Sequence, residues 1–400
     1  MVQNKKSNFA INYPALFVIV IYPILLVIFA VIYGLEYGIG KFEIISMVAT
    51  YYIVNISVGV GLHRLWSHGA FKTKKWLEFI LACLTAGAAQ MPILAWASEH
   101  MLHHKYTDEE KDPHSALKYK NKFIGFLWSH MGWMIFSDFK NKRIDRLAIA
   151  KLGRNKIVLW QFKNYWKLVM FMNIVVPLAL GYIIGGNFKY ALGAFIFMGV
   201  GRAIQQQATF CVNSVVHTDI GGKDYYYGTA RDIWWLFFLL LGENWHNFHH
   251  AFANDYRNGH KWYHLDIHKW IIALMSKIGL ASDLVVTSSV RIDAMKNQVR
   301  KKTITNLKAK VDLIEKATKY IHSIASTKLK LTEESAIKLA NDIHKNLDNL
   351  IIKSKVIMGV AQDLKLKSDN IEEKLILVLY NKYDELRKAA QKLEIIVTSI

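Results

Sequence analysis

Nine histidines stand in four short clusters: His63-Arg-Leu-Trp-Ser-His68, Glu99-His100-Met-Leu-His103-His104, Asn213-Ser-Val-Val-His217 and His246-Asn-Phe-His249-His250. Neutral imidazole is the commonest protein ligand for iron, zinc and copper. On a helix, positions i, i+3 and i+4 share a face. His100, His103 and His104 are therefore expected to project together, and so are His246, His249 and His250. His63 and His68 are five apart, on different faces of an unbroken helix. Either the helix ends between them or each serves a different ion. Asn213 and His217 lie one turn apart. A six-coordinate ion cannot use nine imidazoles, so two ions are expected.

The donor set narrows the metal. A zinc hydrolase needs only three protein ligands and an open position, which leaves most of these histidines without a task. Two redox ions that bind dioxygen together would use them all. Such a pair can take hydrogen from an unactivated C–H bond, which no acid–base side chain can do. Two redox ions, copper or iron by donor set, are the expected cofactor. Cys83 and Cys211 lie in apolar stretches and read as small buried hydrophobes rather than ligands or a disulfide.

The clusters flank long apolar runs. Half of the 400 residues are hydrophobic although the formal net charge is +20, a pairing that membrane spans with lysine-rich loops explain. The lysines do not interleave with a base-reading module, so no nucleic-acid partner is expected. Four spans are predicted, at about residues 12–35, 44–62, 168–188 and 190–216. Each approaches the ~20 residues that a crossing needs. Arg202 and Gln205 to Gln207 interrupt the last one and are expected to face protein or a cavity. Phe79 to Ser98 is apolar enough to cross as well. If it crossed, His63 and His68 would lie across the membrane from His100, His103 and His104. It is therefore read as non-spanning, as is the short run Ile233 to Gly242. Four crossings return every cluster to one side, together with Lys5, Lys6, Arg64, Lys72, Lys74 and Lys75. The positive-inside rule makes that side cytoplasmic, with both termini. The fold class expected is all-α: four transmembrane helices, a cytoplasmic histidine-rich di-metal cap and a C-terminal helical extension.

The order HRLWSH, EHMLHHKYTD, DPHS, NSVVH and HNFHH, with Trp96, Ser129-His130-Met-Gly-Trp133 and Gly242-Glu243, closely resembles the membrane acyl-CoA desaturases of the stearoyl-CoA delta-9 type. The resemblance covers about residues 12 to 280. It implies that His63, His68, His100, His103, His104, His217, His246, His249 and His250 ligate a di-iron pair, with Asn213 beside one iron through a water. It also implies a reaction: dioxygen and two external electrons serve to place a cis double bond in a saturated fatty acyl-CoA. No flavin fingerprint, haem-binding His-Pro-Gly-Gly or cysteine cluster occurs, so the electrons are expected from a ferredoxin or a cytochrome b5-like protein. A basic face suits an acidic donor.

Other residues follow from the same frame. Arg64, Lys105, Lys118, Lys120 and Lys122 are candidates for an acyl-CoA headgroup, and Trp96 for the substrate side of the site. The resemblance implies a bent acyl tunnel between the spans. Met47 and Tyr51, one turn apart on the second span, would close its floor, and a bulky Tyr51 would favour shorter chains. Glu99 and Glu243 neighbour the clusters and would orient imidazoles from behind. Asp112-Pro113 reads as a turn. His114, His130, His260, His264 and His268 are read as structural or surface residues.

Two domains are expected, 1–287 and 288–400. In the second, Ile304, Leu307, Val311, Ile314 and Ile321 keep helical spacing. Thr332-Glu-Glu and Asp369 with Glu372 read as starts of two further helices. Two rivals stand beside the desaturase reading. A hydroxylase could use the same centre. A metal-handling transporter would instead need ionisable residues lining a path at mid-membrane depth, whereas these histidines flank the spans.

Overall fold

Within hydrocarbon every backbone N–H and C=O must be satisfied inside its own segment, which drives apolar runs into helix. The computed structural model describes residues 10–137 and 144–326. Their regular elements are helices apart from two antiparallel pairs of two-residue strands, Ala10–Ile11 with Phe136–Ser137 and Lys72–Thr73 with Ala281–Ser282. Among them three helices are long and apolar enough to cross a membrane: Tyr13–Tyr37, Lys41–Ser67 and Lys156–Gly185, of 25, 27 and 30 residues. Ile24, Val31, Ile45 and Ile183 stand exposed on them, as lipid-facing residues do. A fourth long helix, Phe188–Asn213, packs against all three. Three of the four expected spans fall on these apolar helices; the fourth falls on Phe188–Asn213, which is not among them and buries Arg202, Gln205 and Gln206. Gly186, in the left-handed region at φ 73°, stops the third helix, and the Asn187 side chain caps the fourth by accepting from Tyr190 N at 3.3 Å.

The apolar run Phe79 to Ser98 is not one helix. It belongs to Lys75–Gly87 and Ile93–Tyr106, each too short for the ~20 residues of a crossing. Between them Ala89 and Met91 take positive φ, 53° and 93°, which breaks the helix and frees backbone groups. Side chains take up those groups. Met91 N donates to Tyr165 Oη at 2.9 Å and Ile93 N to Gln161 Oε1 at 3.2 Å. Asn173 Nδ2 donates to the Gly87 carbonyl at 3.1 Å and Gln206 Nε2 to that of Ala89 at 3.1 Å. Irregular backbone among apolar helices survives only when satisfied in this way, and that is one use of the glutamines in the fourth helix.

The second helix changes its winding. From Ser57 to Ser67 it runs with i→i+5 hydrogen bonds, a form frequent at functional sites. Gly59 in this stretch lies against His268 of helix Ile267–Lys277: a Cβ there would meet the ring Cε1 at 2.1 Å. Gly59→Ala is therefore expected to cost about 1–3 kcal/mol, as overpacked cores do. A lowered midpoint of thermal unfolding in detergent would measure it.

The chain divides into two units, Met1–Ser289 and Val290–Ile400. Ile304 to Ile321 fall in one helix, Ser289–Ser326. The expected helix starts at Thr332 and Asp369 lie outside the described residues.

Candidate metal centre

Four elements deliver the histidines. His63 sits in the i→i+5 stretch and His68 just after it, where His68 N donates to the His63 carbonyl at 3.2 Å. In this wide turn residue i+5 returns close to residue i. The two rings, expected on different faces, are 4.9 Å apart between centroids and belong to one group. Helix Ile93–Tyr106 carries His100, His103 and His104, a single 3₁₀ turn after the fourth long helix carries His217, and the short helix His246–Ala251 carries the last three. Asp232 Oδ1 accepts from Asn247 N at 2.7 Å and caps that short helix.

All nine histidines converge in two groups. One is His63, His68, His100, His104 and His249; the other is His103, His217, His246 and His250. Within each group the ligand atoms lie within 4.8 Å of one another. In the first, His249 Nε2 is 2.9 Å from His63 Nε2 and 2.9 Å from His104 Nε2, and His68 Nε2 is 2.8 Å from His100 Nε2. In the second, the Nε2 atoms of His103, His250, His246 and His217 follow one another at 3.2, 3.0 and 3.1 Å.

These spacings test whether metal ions fit. Two nitrogens at ~2.1 Å from one ion, on adjacent octahedral vertices, are ~3.0 Å apart. The observed 2.8–3.2 Å matches that geometry. A self-contained hydrogen-bond network is a poor alternative, because a neutral imidazole has one acceptor nitrogen, and here several Nε2 atoms crowd together. The rings also hold the form that a metal needs. Burial first, and neighbouring imidazoles next, push His68, His100, His104, His249, His246 and His250 well below the usual histidine pKa. Burial and His217 do the same for His103. Neutral imidazoles with converging lone pairs can hold two ions.

Carboxylates set the rings from behind, as second ligand nitrogens commonly require. Glu243 Oε2 is 2.7 Å from His63 Nδ1, and Oε1 is 2.9 Å from His268 Nδ1. Burial alone would raise the Glu243 pKa, but His63 and Arg64 hold it well below the carboxylate range. Asp112 accepts from His103 Nδ1 at 3.0 Å and from the backbone N–H groups of Asp108 and His114, each at 3.1 Å. The nearby trio His103, Asp112 and His114 thus already has its carboxylate occupied. His114 stacks on His103 at 4.1 Å, and His268 is buried behind Glu243.

A cavity opens against both groups, lined by His63, His100, His103 and His246 and by Asn55, Val58, Trp96, Thr209, Val212, Asn213 and Leu240. Trp96 stacks on His100 at 4.8 Å. Glu99 lines a neighbouring cavity that shares Trp96, His100, Thr209 and Asn213. Of the expected substrate residues only Trp96 reaches this space; Asn213, expected beside one metal through a water, lines it too. Lys105 and Lys122 are on the surface, Lys122 Nζ 3.5 Å from Asp219. Tyr51 lies one turn from Asn55, and both donate to the Leu239 carbonyl, at 2.6 and 2.9 Å. Met47 packs with Tyr33, Ile196 and Phe197.

Arg64 requires a correction. It is 1% exposed, and its guanidinium is committed to Asp266 at 2.9 Å, Glu243 at 3.1 Å and the Tyr256 carbonyl at 2.7 Å. It cannot meet an incoming headgroup. It braces the first cluster to the segment after the last, which its proximity to His63 in sequence did not reveal. Asp108, Thr229 and Asp266, and the contact of Asp112 with His103, also escaped notice. Two of these carboxylates fall within eight residues of His104, the available signal.

A family model described as "Fatty acid desaturase" matches residues 43–281, which span every histidine of both groups. The chain belongs to the fatty acid desaturase family. Among curated relatives of this desaturase-family chain, the "Probable acyl-CoA desaturase" of Schizosaccharomyces pombe is 34% identical over 271 residues, 67% of this chain and 54% of the relative. "Acyl-CoA desaturase 1" of Saccharomyces cerevisiae is 36% identical over 266 residues, 66% and 50% respectively. "Delta-9 acyl-lipid desaturase 2" of Arabidopsis thaliana is 35% identical over 248 residues, 60% and 74%. The chain spans about half the length of the two yeast relatives. Its histidine clusters are those typical of the di-iron desaturases.

Proposed function

We propose that this protein is a membrane fatty acyl desaturase that introduces a cis double bond, at the delta-9 position, into a saturated acyl-CoA. The observation that carries the reading is the cavity lined by ligand histidines from both groups together with the apolar side chains of Val58, Trp96, Val212 and Leu240. An alkyl chain laid there meets apolar walls along its length and the metal groups at one point. The yeast relatives' names support the CoA carrier, and the Arabidopsis name supports the bond position.

A bound iron pair would supply the reduction of dioxygen to two waters, using two external electrons, two protons and the two hydrogens taken from adjacent methylenes. The chain's own part is to position and to exclude. Trp96, stacked on His100, confines the alkyl segment beside the first group, while Asn213 lines the same cavity as His103 and His246. Lys105 and Lys122, outside the cavity, are available to the headgroup's phosphates. The electron donor in this reading is an acidic ferredoxin or cytochrome b5-like protein. Four crossings place the metal groups and both termini on the cytoplasmic side, with the helix Phe188–Asn213 as the fourth span.

Expression in a host lacking its own desaturase tests the reading. The fatty-acid profile should gain a monounsaturated product with the double bond at carbon nine. A hydroxylated chain without a double bond would establish the hydroxylase instead. A profile unchanged by iron-loaded, membrane-inserted protein would overturn both.

In this account Tyr51, one turn beyond the cavity-lining Asn55, would close the floor of a longer acyl tunnel. Tyr51→Ala is expected to raise the ratio of longer to shorter unsaturated products by about tenfold or more, since room for a methylene in an apolar site is worth about 1–3 kcal/mol. Chain-length profiling of the same host measures it.

A further inference from the structure

The four-histidine group has a support that runs across the fold to the turn after the second cluster. Thr229 stands between His217 and Asp108. Its hydroxyl is 2.8 Å from His217 Nδ1 and hydrogen-bonds Asp108 Oδ1, while its backbone N–H donates to Asp108 Oδ2 at 2.8 Å. Asp108 itself sits at φ 68°, and its N–H donates to Asp112. One turn therefore carries two carboxylates. Asp112 serves His103 directly, and Asp108 serves His217 through Thr229.

The polarity of this chain follows from what each group can do. An ionised carboxylate only accepts hydrogen bonds, and a threonine hydroxyl has one hydrogen to give. The Thr229 hydrogen must go to Asp108. Its oxygen can then only accept from the ring, so His217 carries its proton on Nδ1. That leaves Nε2 bare, 3.1 Å from His246 Nε2 and facing the rest of the group. The opposite tautomer would point an N–H into the position of an ion. With only four imidazoles in this group against five in the other, it has fewer donors to lose.

We propose that Thr229, oriented by Asp108, is a positioning residue that locks His217 in the tautomer able to bind metal, and that this relay decides whether the second ion is retained. The proposal rests on the two groups holding metal, as the desaturase reading requires, but not on the reaction itself. Outer partners of metal-bound histidines typically change affinity 10–100-fold, and that range is expected here for one ion of the two.

The test compares full-length protein, Thr229→Val and Thr229→Ser, each purified in detergent with iron and exposed to the same chelator series. Thr229→Val, which keeps the shape and loses the acceptor, should release one iron per chain at 10–100-fold lower chelator, with the other held as in the parent. Thr229→Ser should match the parent. Loading with cobalt(II) instead should show altered visible absorption for one ion only in Thr229→Val. Equal iron retention by Thr229→Val, or loss of both ions together, would overturn the proposal. Should Thr229→Val fail to elute as a single species, Asp108→Asn serves: it must again weaken one ion selectively, and retention like the parent's is contrary. A parent that holds two irons but forms no unsaturated product would refute the desaturase reading and leave the relay standing.

Discussion

Replacing His249 by alanine should abolish the unsaturated product and strip metal from the five-histidine group, while the chain stays inserted in the membrane. His249 Nε2 is the hub of that group, 2.9 Å from the Nε2 atoms of both His63 and His104. Its loss removes a donor outright, so the affinity lost should exceed the 10–100-fold that an outer partner commands. Insertion should persist because His249 lies on the short helix His246–Ala251 and is not part of any of the three long apolar helices. His103→Ala should be equally inactive but should deplete the four-histidine group instead. Product profiling and iron content of the same preparations separate the two variants. Activity retained by either would contradict the ligand sets.

Arg64→Ala should be among the most damaging single changes outside the ligands. The guanidinium is buried and shared by Asp266, Glu243 and the Tyr256 carbonyl. Removing one partner of a buried ion pair leaves uncompensated charge and costs about 3–5 kcal/mol. The damage should spread, because Glu243 also bears on His63 and His268, and Asp266 accepts from the backbone of Asn258, Gly259 and Lys269. A headgroup contact would behave otherwise, raising KM with stability unchanged. Thermal unfolding of detergent-solubilised Arg64→Ala distinguishes them: a large drop in midpoint is expected, and an unshifted midpoint with raised KM would restore the headgroup role.

The histidines could be read from sequence because their chemistry is rare and their spacing explicit. Two HxxHH clusters announce two helical faces, and the structure brings them together. The need for His68 to meet His100 also made Phe79 to Ser98 legible as non-spanning, although hydropathy alone suggests a crossing. What was hidden depends on partners distant in sequence. The i→i+5 winding that reunites His63 and His68 has no local signature, since α-helical spacing separates them. Arg64 looked like a surface cation because a basic residue beside a membrane usually is one. Its true partners, Glu243 and Asp266, lie about 200 residues away, at separations of 179 and 202. Thr229 carried no signal at all: a lone threonine in a polar loop gains meaning only when Asp108 and His217 are seen on either side. The fourth long helix was harder to read because polar residues such as Gln206, which serves the broken turn at Ala89, dilute its apolar character.

Element-resolved mass spectrometry of the purified full-length chain, expressed with iron and handled without oxygen, tests the two-ion centre most directly. Two iron atoms per chain are predicted, falling toward one in His249→Ala. A single ion per chain, or zinc at full occupancy in active protein, would contradict it.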